Sequence, residues 1–427
     1  MSFTFAEIED RTRIRALYLL ETDKDPERAA AVLAGEQSTG TFIKLPYETA
    51  ELTARCGAVV ERVEIIGGAA AGSLPIHGEY KGPVKRAIVE ISWSLDNFGV
   101  CLPNLMSTVA GNLYELREVS GLRLLDIQVP DAYAEHYPGP QFGIAGTREL
   151  AGVERGPLVG TIIKPSVGLS PTQTADIVRS LCEGGIDFIK DDELQANGPH
   201  CPFEDRVAEV MRVINMHADR TGKKVMYAFN VTGTLDDMLL QHDMVVKHGG
   251  SCIMVSLNST GLVAVEHLRR NSALPIHGHR NGWGYLSRHP LLGFEYTAWH
   301  KFWRLAGVDH MHVNGLRNKF SEPGESSIIS AKACLTPMFE SPLQGFEAMP
   351  VFSSGQWAEQ AFETWDRLQS TDLIYACGGG IAAHPGGIRA GIESIRYAWR
   401  AAAEGKSMQA AMADSPELKA AVEHFGT

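Results

Sequence analysis

The sequence predicts a (β/α)8 TIM barrel preceded by a ferredoxin-like α+β domain. From residue 159 onward, eight short apolar runs alternate with helix-like segments, which is the pattern of such a barrel. Before residue 140, strand-like and helix-like segments follow no regular order, as in a sheet with helices on one face. The Gly- and Pro-rich segment HYPGPQFGIAG separates the two parts. We therefore expect domains at residues 1–140 and 141–427.

The elements of the N-terminal part are short. Strands are expected at residues 13–22, 58–66 and 85–94, and helices at residues 26–36 and 102–111. This order is typical of an antiparallel sheet that carries its helices on one face.

The apolar runs of the second part are the expected barrel strands. They lie at residues 159–164, 187–191, 225–231, 252–257, 275–279, 310–313, 349–353 and 373–377. In the intervening segment SPTQTADIVRSLCEGG, Ser170 and Pro171 suit a helix start and Gly184 suits its end. Chemistry in such a barrel lies at the C-terminal ends of the strands.

The composition excludes several classes of protein. A chain of 427 residues that is 44% hydrophobic can bury two cores. Its net charge of -12 argues against nucleic acid or an anionic membrane as a partner. The seven cysteines show neither a C-x-x-C pair nor zinc spacing, which indicates free thiols. The start MSFTFAEIEDRTRIR does not resemble a signal peptide, so we expect a soluble, cytoplasmic protein.

The stretch DFIKDDE places a lysine and three carboxylates at the end of the second run. In an extended chain Lys190 and Asp192 point the same way, and Glu193 sits just beyond them. Crowded carboxylates need a proton, a cationic partner or a divalent metal, and oxygen ligands at a strand end suit Mg²⁺. The alternative interpretation is a solvated loop in which Lys190 pairs with an acid.

Polar residues also end five other runs. They are Lys164, His279, Arg280, His312, Ser353, Gly355, Gly378 and Gly379. The glycines expose backbone N–H groups in a corner of the barrel that commonly holds phosphate. Arg280 and His312 suit a second anion, and Lys319 lies in a loop with the composition of a mobile lid. Core histidines, a Gly-rich turn and a solvated lysine are the alternative interpretations.

These motifs match a known family. GTIIKPSVGLS, GGIDFIKDDE, HGHR, DHMHVNGLRNKF, PVFSSG and GGGIAAHPGG resemble the strand-end motifs of ribulose-bisphosphate carboxylase (RuBisCO) large subunits, in the same order. GEQSTGTF and VAGN resemble the active-site contributions of that family's N-terminal domain. The resemblance therefore covers nearly the whole chain.

The resemblance implies a role for each matching residue. Lys190 would take up CO2 as a carbamate and bind Mg²⁺ together with Asp192 and Glu193, and Lys164 would handle protons at the reacting carbon. His279 and Lys319 would also be catalytic. Substrate or phosphate contacts would come from Glu36, Thr41, Asn112, Arg280, His312, Ser353, Gly355, Gly378 and Gly379. The first three would reach a neighbouring subunit's site, which implies a homodimer or a higher homo-oligomer, and no small subunit is expected.

Four positions depart from the family pattern. Ser166 replaces a lysine, Phe42 a tryptophan, Ile162 a threonine and Ser354 a glycine. Losing polar groups around the reacting centre should damage carboxylation. The chain therefore resembles the RuBisCO-like (form IV), non-carboxylating branch.

The resemblance implies an enzyme that forms an enediolate from a phosphorylated keto-sugar or oxo-sugar-acid. Retention of Lys164 and Lys319 favours a substrate carboxylate, and thus a lyase, a decarboxylase or hydrolase of the 3-oxo-isoapionate 4-phosphate type. An isomerase or enolase of a methylthio-sugar phosphate is the next alternative. A true carboxylase is disfavoured. A non-catalytic sugar-phosphate sensor and an enolase-superfamily barrel also stay open, although the latter places its carboxylates on three successive strands.

Overall fold

A computed structural model describes residues 4–7, 10–40, 43, 45–76, 80 and 82–426. The chain forms two compact units. The first consists of Met1–Pro138, Gly282–Leu305 and Met338–Gly345, and the second of Gly139–Asn281, Ala306–Pro337 and Phe346–Thr427. Two later segments thus belong with the N-terminal residues, which no sequence pattern indicated. The predicted domain boundary at residue 140 stays a prediction.

The strands fall into two sheets. In chain order they are β1 (Arg13–Thr22), β2 (Val59–Ala69), β3 (Val84–Ser94), β4 (Gly121–Gln128), β5 (Leu158–Ile162), β6 (Phe188–Lys190), β7 (Met226–Asn230), β8 (Cys252–Ser256), β9 (Ile276–His279), β10 (Leu292–Phe294), β11 (His310–His312), β12 (Met349–Phe352) and β13 (Ile374–Ala376).

The helices pack around these sheets. In chain order they are α1 (Pro26–Glu36), α2 (Ala50–Cys56), α3 (Leu102–Ala110), α4 (Ala132–His136), α5 (Gly143–Ala151), α6 (Pro171–Gly184), α7 (Phe203–Thr221), α8 (Leu235–Lys247), α9 (Leu257–Thr260), α10 (Leu262–Asn271), α11 (Trp283–Ser287), α12 (Tyr296–Leu305), α13 (Gly324–Leu335), α14 (Gln360–Leu368), α15 (Gly379–Ala382), α16 (Gly387–Ala403), α17 (Met408–Asp414) and α18 (Pro416–Phe425). Short 3₁₀ turns occupy Leu95–Asn97 and Asn112–Glu115.

The sheet of the first unit has the strand order β10-β4-β1-β3-β2. β1 pairs antiparallel with β3 and β4, and β2 pairs antiparallel with β3. The three strands and two helices predicted here are confirmed, with small shifts of their bounds. The sequence missed β4 and β10. β10 pairs in parallel with β4 although the two are far apart in the chain.

The second unit is a closed barrel of parallel strands in the order β11-β12-β13-β5-β6-β7-β8-β9. All eight predicted runs supply a strand, so the predicted barrel is confirmed. α6 begins with the expected cap, because Ser170 and Gln173 exchange side-chain-to-backbone hydrogen bonds. The helix includes Gly184 and ends at Gly185, whose φ of 89° suits glycine.

An apolar layer fills part of the barrel interior. It includes Phe188, Met226, Met254, Val351 and Ile374, all fully buried. In a barrel with such a packed interior, the polar side chains that carry the chemistry lie at the C-terminal ends of the strands.

The seven cysteines are free thiols, as predicted. Across residues 4–426, apart from the short gaps given above, no helix has both the length and the apolar character to cross a membrane.

Candidate active site

Lys190 is the last residue of β6, and its side chain is 1% exposed. The amine donates to the carbonyl oxygen of Asp191 at 2.9 Å and lies 3.6 Å from the Glu193 carboxylate. Burial lowers the pKa of Lys190, and the nearby acids oppose this only in part. The structure therefore places an amine with an enlarged neutral fraction beside a carboxylate.

Lys164, just beyond β5, pairs with Asp192. Its Nζ lies 2.5 Å from Asp192 Oδ2 and donates to the Ser166 hydroxyl at 2.8 Å. Burial raises the pKa of Asp192, but the hydrogen bonds from Lys164 and the Leu194 N–H outweigh it, so the pKa is lowered. Lys164 is half exposed, whereas Asp192 is buried. One end of this ion pair is thus open to a ligand.

His279, at the end of β9, completes the group. Its Nε2 lies 3.4 Å from Glu193 Oε2. Burial and then the positive charge of Lys190 lower the pKa of His279 to about 4. A neutral imidazole can accept a proton or a hydrogen bond at neutral pH.

Asp191, the remaining one of the three carboxylates that follow Lys190, has a different environment. It accepts hydrogen bonds from the Tyr227 hydroxyl at 2.5 Å and the Asn230 N–H at 2.9 Å, and it pairs with the buried Arg206 at 3.2 Å. Asp191 therefore belongs to the hydrogen bonds and the ion pair that stabilise the interior of the barrel. Of the three crowded acids, Asp192 and Glu193 contact the lysine amines.

The sequence interpretation missed Asn230. Its side-chain amide donates to the carbonyl oxygens of Asp192 and Glu193 at 3.4 and 3.3 Å, which fixes the turn that carries both acids. The available signal was a polar residue at the end of an otherwise apolar strand, YAFN.

The oxygen ligands beside Lys190 suit Mg²⁺ in type. Asp192 and Glu193 supply oxygens, the ligand type this ion prefers, and each already lies beside a lysine amine. In the part of the chain that the structure describes, no three His, Cys, Asp or Glu side chains form a metal-binding group. The residues present fit the ion when Lys190 supplies the third anionic oxygen as a carbamate.

His312, on β11, lies beside these residues. Its ring packs edge-on against His279 at 4.5 Å between centroids, and its Nδ1 lies 3.1 Å from the Ser353 hydroxyl. The structure thus brings together the residues predicted on the fifth, sixth and seventh runs.

Arg280 pairs with Glu322, an acid in the loop after β11 that the sequence interpretation did not select. Glu322 also accepts a hydrogen bond from the Asn314 amide. The guanidinium that we expected to bind a substrate anion therefore already has an anionic partner. The Glu-Pro-Gly sequence of the loop gave no signal for this contact.

The glycines of the predicted phosphate corner have open surroundings. A side chain added at Gly379 would meet no atom within 4 Å, and one at Gly378 would only approach Ile162. Gly355 has a φ of 73°, and a side chain added there would first meet the backbone nitrogen of Lys319, 4.0 Å from its Cβ. Lys319 is exposed, and its amine lies 5.3 Å from the centre of the Phe320 ring.

The remaining predicted residues belong to the first unit. Asn112 donates to the Glu36 carboxylate at 3.4 Å, and both residues are exposed. Thr41 and Phe42 lie outside the described residues.

Two family models match the chain. The catalytic domain of the ribulose bisphosphate carboxylase large chain matches residues 143–425. The N-terminal domain of the same large chain matches residues 8–133.

Two curated proteins match along almost their whole length. A Xanthobacter autotrophicus protein named 3-oxo-isoapionate-4-phosphate transcarboxylase/hydrolase is 57% identical over 410 residues, covering 96% of this chain and 98% of the relative. A Rhizobium rhizogenes protein named 3-oxo-isoapionate-4-phosphate decarboxylase is 42% identical over 414 residues, with coverages of 96% and 98%.

Solved structures agree with these matches. A rubisco-like protein from Burkholderia fungorum is 44% identical with a TM-score of 0.91, over 96% of this chain and 99% of that one. A dimeric archaeal Rubisco from Hyperthermus butylicus is 28% identical with a TM-score of 0.84, over 98% and 97% of the two chains. The chain therefore belongs to the RuBisCO large-chain family, and within it to the RuBisCO-like proteins, as its motifs predicted.

Proposed function

We propose that this protein is an enzyme that acts on 3-oxo-isoapionate 4-phosphate and moves its carboxyl group by transcarboxylation followed by hydrolysis. The relative with that name is 57% identical over nearly the whole chain. The structural observation that carries the proposal is the half-exposed Lys164 amine, held 2.5 Å from Asp192 at the mouth of the barrel. An ammonium group there suits a substrate carboxylate and a carbon that gains negative charge.

Lys190 supports this chemistry as a modified residue. Its neutral amine would attack CO2, form a C–N bond and lose a proton to solvent, which converts a buried neutral amine into an anionic carbamate. The carbamate, Asp192 and Glu193 would then hold Mg²⁺. When bound, the ion supplies Lewis-acid polarisation of a ketone oxygen.

Lys164 would bind and protonate. In a 3-oxo acid, breaking the bond to the carboxyl carbon leaves an electron pair that delocalises into the ketone. Lys164 would hold the departing carboxyl group while this group forms a new C–C bond at the former ketone carbon, and its N–H would protonate the carbanion that the later hydrolysis releases. The neutral His279 would accept a hydrogen bond from a substrate hydroxyl.

The phosphate would bind away from this centre. Gly378 and Gly379 have no side chains to obstruct an anion near their backbone, and Gly355 lies beside the backbone of Lys319. Lys319 is exposed and would close over the phosphate as a lid residue. Arg280 would also bind the phosphate once its ion pair with Glu322 is broken.

A decarboxylase is the second candidate, because the Rhizobium relative with that name is 42% identical over the same span. The two reactions differ in the fate of one carbon. Decarboxylation releases the carboxyl carbon as CO2, and a proton takes its place. Transcarboxylation with hydrolysis keeps that carbon in a product and takes up oxygen from water.

The test follows the labelled carboxyl carbon. The substrate, ¹³C-labelled at the carboxyl group, is incubated with enzyme, Mg²⁺ and bicarbonate in H2¹⁸O. The proposal expects the ¹³C label to stay in the carboxylate of one product and ¹⁸O to enter the carboxylate that forms from the ketone carbon. Labelled CO2 identifies the decarboxylase, and no turnover of this substrate overturns both candidates. The Asp192→Asn variant controls for contaminating enzymes.

The proposal includes a homodimer or a larger homo-oligomer, with no small subunit, in the cytoplasm. Glu36 and Asn112 are exposed and bonded to each other on the first unit, as suits residues given to a neighbouring subunit's site. Light scattering of the purified protein tests this part, and a monomer that turns over substrate would contradict it.

A further inference from the structure

Three buried histidines link Ser353 at the barrel mouth to Thr147 on α5. His312 lies 3.1 Å from Ser353 Oγ through Nδ1 and 2.7 Å from His277 Nε2 through Nε2. His277 Nδ1 lies 3.4 Å from His310 Nδ1, and His310 Nε2 lies 2.8 Å from Thr147 Oγ1. None of the three rings is more than 3% exposed. The five residues form one continuous hydrogen-bonded chain.

Thr147 determines which atoms donate and which accept along this hydrogen-bonded chain. Its hydroxyl has one proton, and it bonds to the carbonyl oxygen of Gly143, which can only accept. Thr147 must therefore accept from His310. This places the His310 proton on Nε2 and leaves its Nδ1 without one.

The remaining protons follow one by one. A neutral imidazole has one N–H and one bare nitrogen, so two ring nitrogens in contact need one of each. The bare Nδ1 of His310 accepts from Nδ1–H of His277, whose bare Nε2 accepts from Nε2–H of His312. The bare Nδ1 of His312 then accepts the Ser353 hydroxyl proton. Burial lowers the pKa of all three rings, that of His310 to about 3, so they stay neutral at neutral pH.

We propose that Thr147, His310 and His277 are positioning residues that hold His312 in the Nε2–H tautomer. In this tautomer the Ser353 hydroxyl donates its proton in a hydrogen bond to Nδ1 of His312. Ser353 then offers a ligand only its lone pairs. A phosphate dianion has no proton to donate, so the Ser353 hydroxyl suits a hydroxyl group of the substrate and not its phosphate. This last consequence rests on the proposed function, whereas the tautomer assignment rests on the hydrogen-bond geometry of the neutral, buried rings.

The tautomers can be read by NMR on ligand-free protein with ¹⁵N-labelled histidine, through two-bond correlations between ring nitrogens and ring protons. His312→Gln and His277→Gln identify the signals. The wild type is expected to show a bare Nδ1 and a protonated Nε2 for His312, and the reverse for His277. A protonated Nδ1 on His312 overturns the proposal whatever the protein's activity is.

A matched pair of variants then tests the far end of the chain. Thr147→Val removes the hydroxyl that fixes which ring nitrogens donate and which accept. Both sets of histidine tautomers then become populated, and the His312 Nδ1 signal shifts toward the position of a protonated nitrogen. Thr147→Ser keeps the hydroxyl and should keep the wild-type signals. Equal His312 signals in wild type and Thr147→Val would overturn the proposal. If Thr147→Val does not fold, His310→Phe breaks the same chain and takes its place.

Discussion

The Lys190 amine lies 3.6 Å from the Glu193 carboxylate, and its side chain is almost completely buried. Burial disfavours the charged amine, while the neighbouring acids favour it. The ammonium form of Lys190 and a CO2-modified, metal-bound form are two ways to balance the same charges, since either one places positive charge beside the Glu193 carboxylate. The geometry therefore predicts that CO2 and Mg²⁺ bind together.

Replacing Lys190 by Met should remove this coupling. In the wild type, bicarbonate should raise Mg²⁺ affinity, as measured by isothermal titration calorimetry, because the carbamate supplies an anionic ligand. In Lys190→Met, Mg²⁺ should bind weakly and bicarbonate should have no effect. The exposed Lys247 provides a control, since Lys247→Met should behave as the wild type. An unchanged bicarbonate effect in Lys190→Met would exclude the carbamate.

Replacing Lys164 by Met should lower turnover without weakening the binding of Mg²⁺. If Lys164 delivers the proton that quenches the carbanion, turnover should fall roughly 10²- to 10⁴-fold, the usual contribution of a positioned acid. Mg²⁺ affinity should rise, because the amine no longer competes for Asp192. Ser166→Ala removes only the neighbouring hydroxyl that accepts from Lys164, and should lower turnover far less. Equal losses in both variants would show that Lys164 is not the proton donor.

Glu322→Gln should strengthen substrate binding. In the wild type, Glu322 holds the Arg280 guanidinium and has to release it before Arg280 can bind an anion. The amide retains the shape and a hydrogen bond to Arg280 but not the charge, so the substrate KM should fall several-fold while the fold is preserved. A raised KM would indicate that Glu322 orients Arg280 and does not compete for it.

The sequence predicted the barrel because each apolar run and each helix cap is a local pattern. Lys190, Asp192 and Glu193 could be selected from the sequence for the same reason, since they lie within four consecutive positions. Glu322 and Thr147 were missed because their roles depend on partners far along the chain, 42 residues away for Arg280 and 163 for His310. The parallel pairing of β10 with β4 was missed on the same grounds, since three residues carry too short a pattern.

Ser354→Gly should stabilise the protein. Ser354 has a φ of 68°, a left-handed conformation that is unfavourable for a residue with a side chain. Its buried hydroxyl has no hydrogen-bond partner among the described residues. Glycine removes both costs, and the greater flexibility of glycine in the unfolded chain offsets part of this gain. The net change should raise the free energy of unfolding by about 1 kcal/mol. Chemical denaturation measures this value. Ser354→Ala removes the hydroxyl but keeps the strain, so it should gain less than Ser354→Gly.

His300 should make the protein less stable in acid. The ring is fully buried on α12, and in the part of the chain that the structure describes neither ring nitrogen has a hydrogen-bond partner. Burial, and then the charges of Arg304 and Lys301, hold its pKa well below 6.5. Between pH 6.5 and that lowered pKa, the unfolded chain binds a proton that the folded protein excludes, so stability falls as the pH falls.

The variant His300→Phe keeps a ring at this position and removes the proton site. Between pH 7 and pH 5 the wild type should lose about 2 kcal/mol more unfolding free energy than His300→Phe, because one histidine proton is excluded over that range. Urea denaturation at the two pH values measures the difference. The exposed His267 serves as the control, since His267→Phe should lose as much stability as the wild type. If His300→Phe shows the same acid sensitivity as the wild type, the buried ring takes up its proton without unfolding.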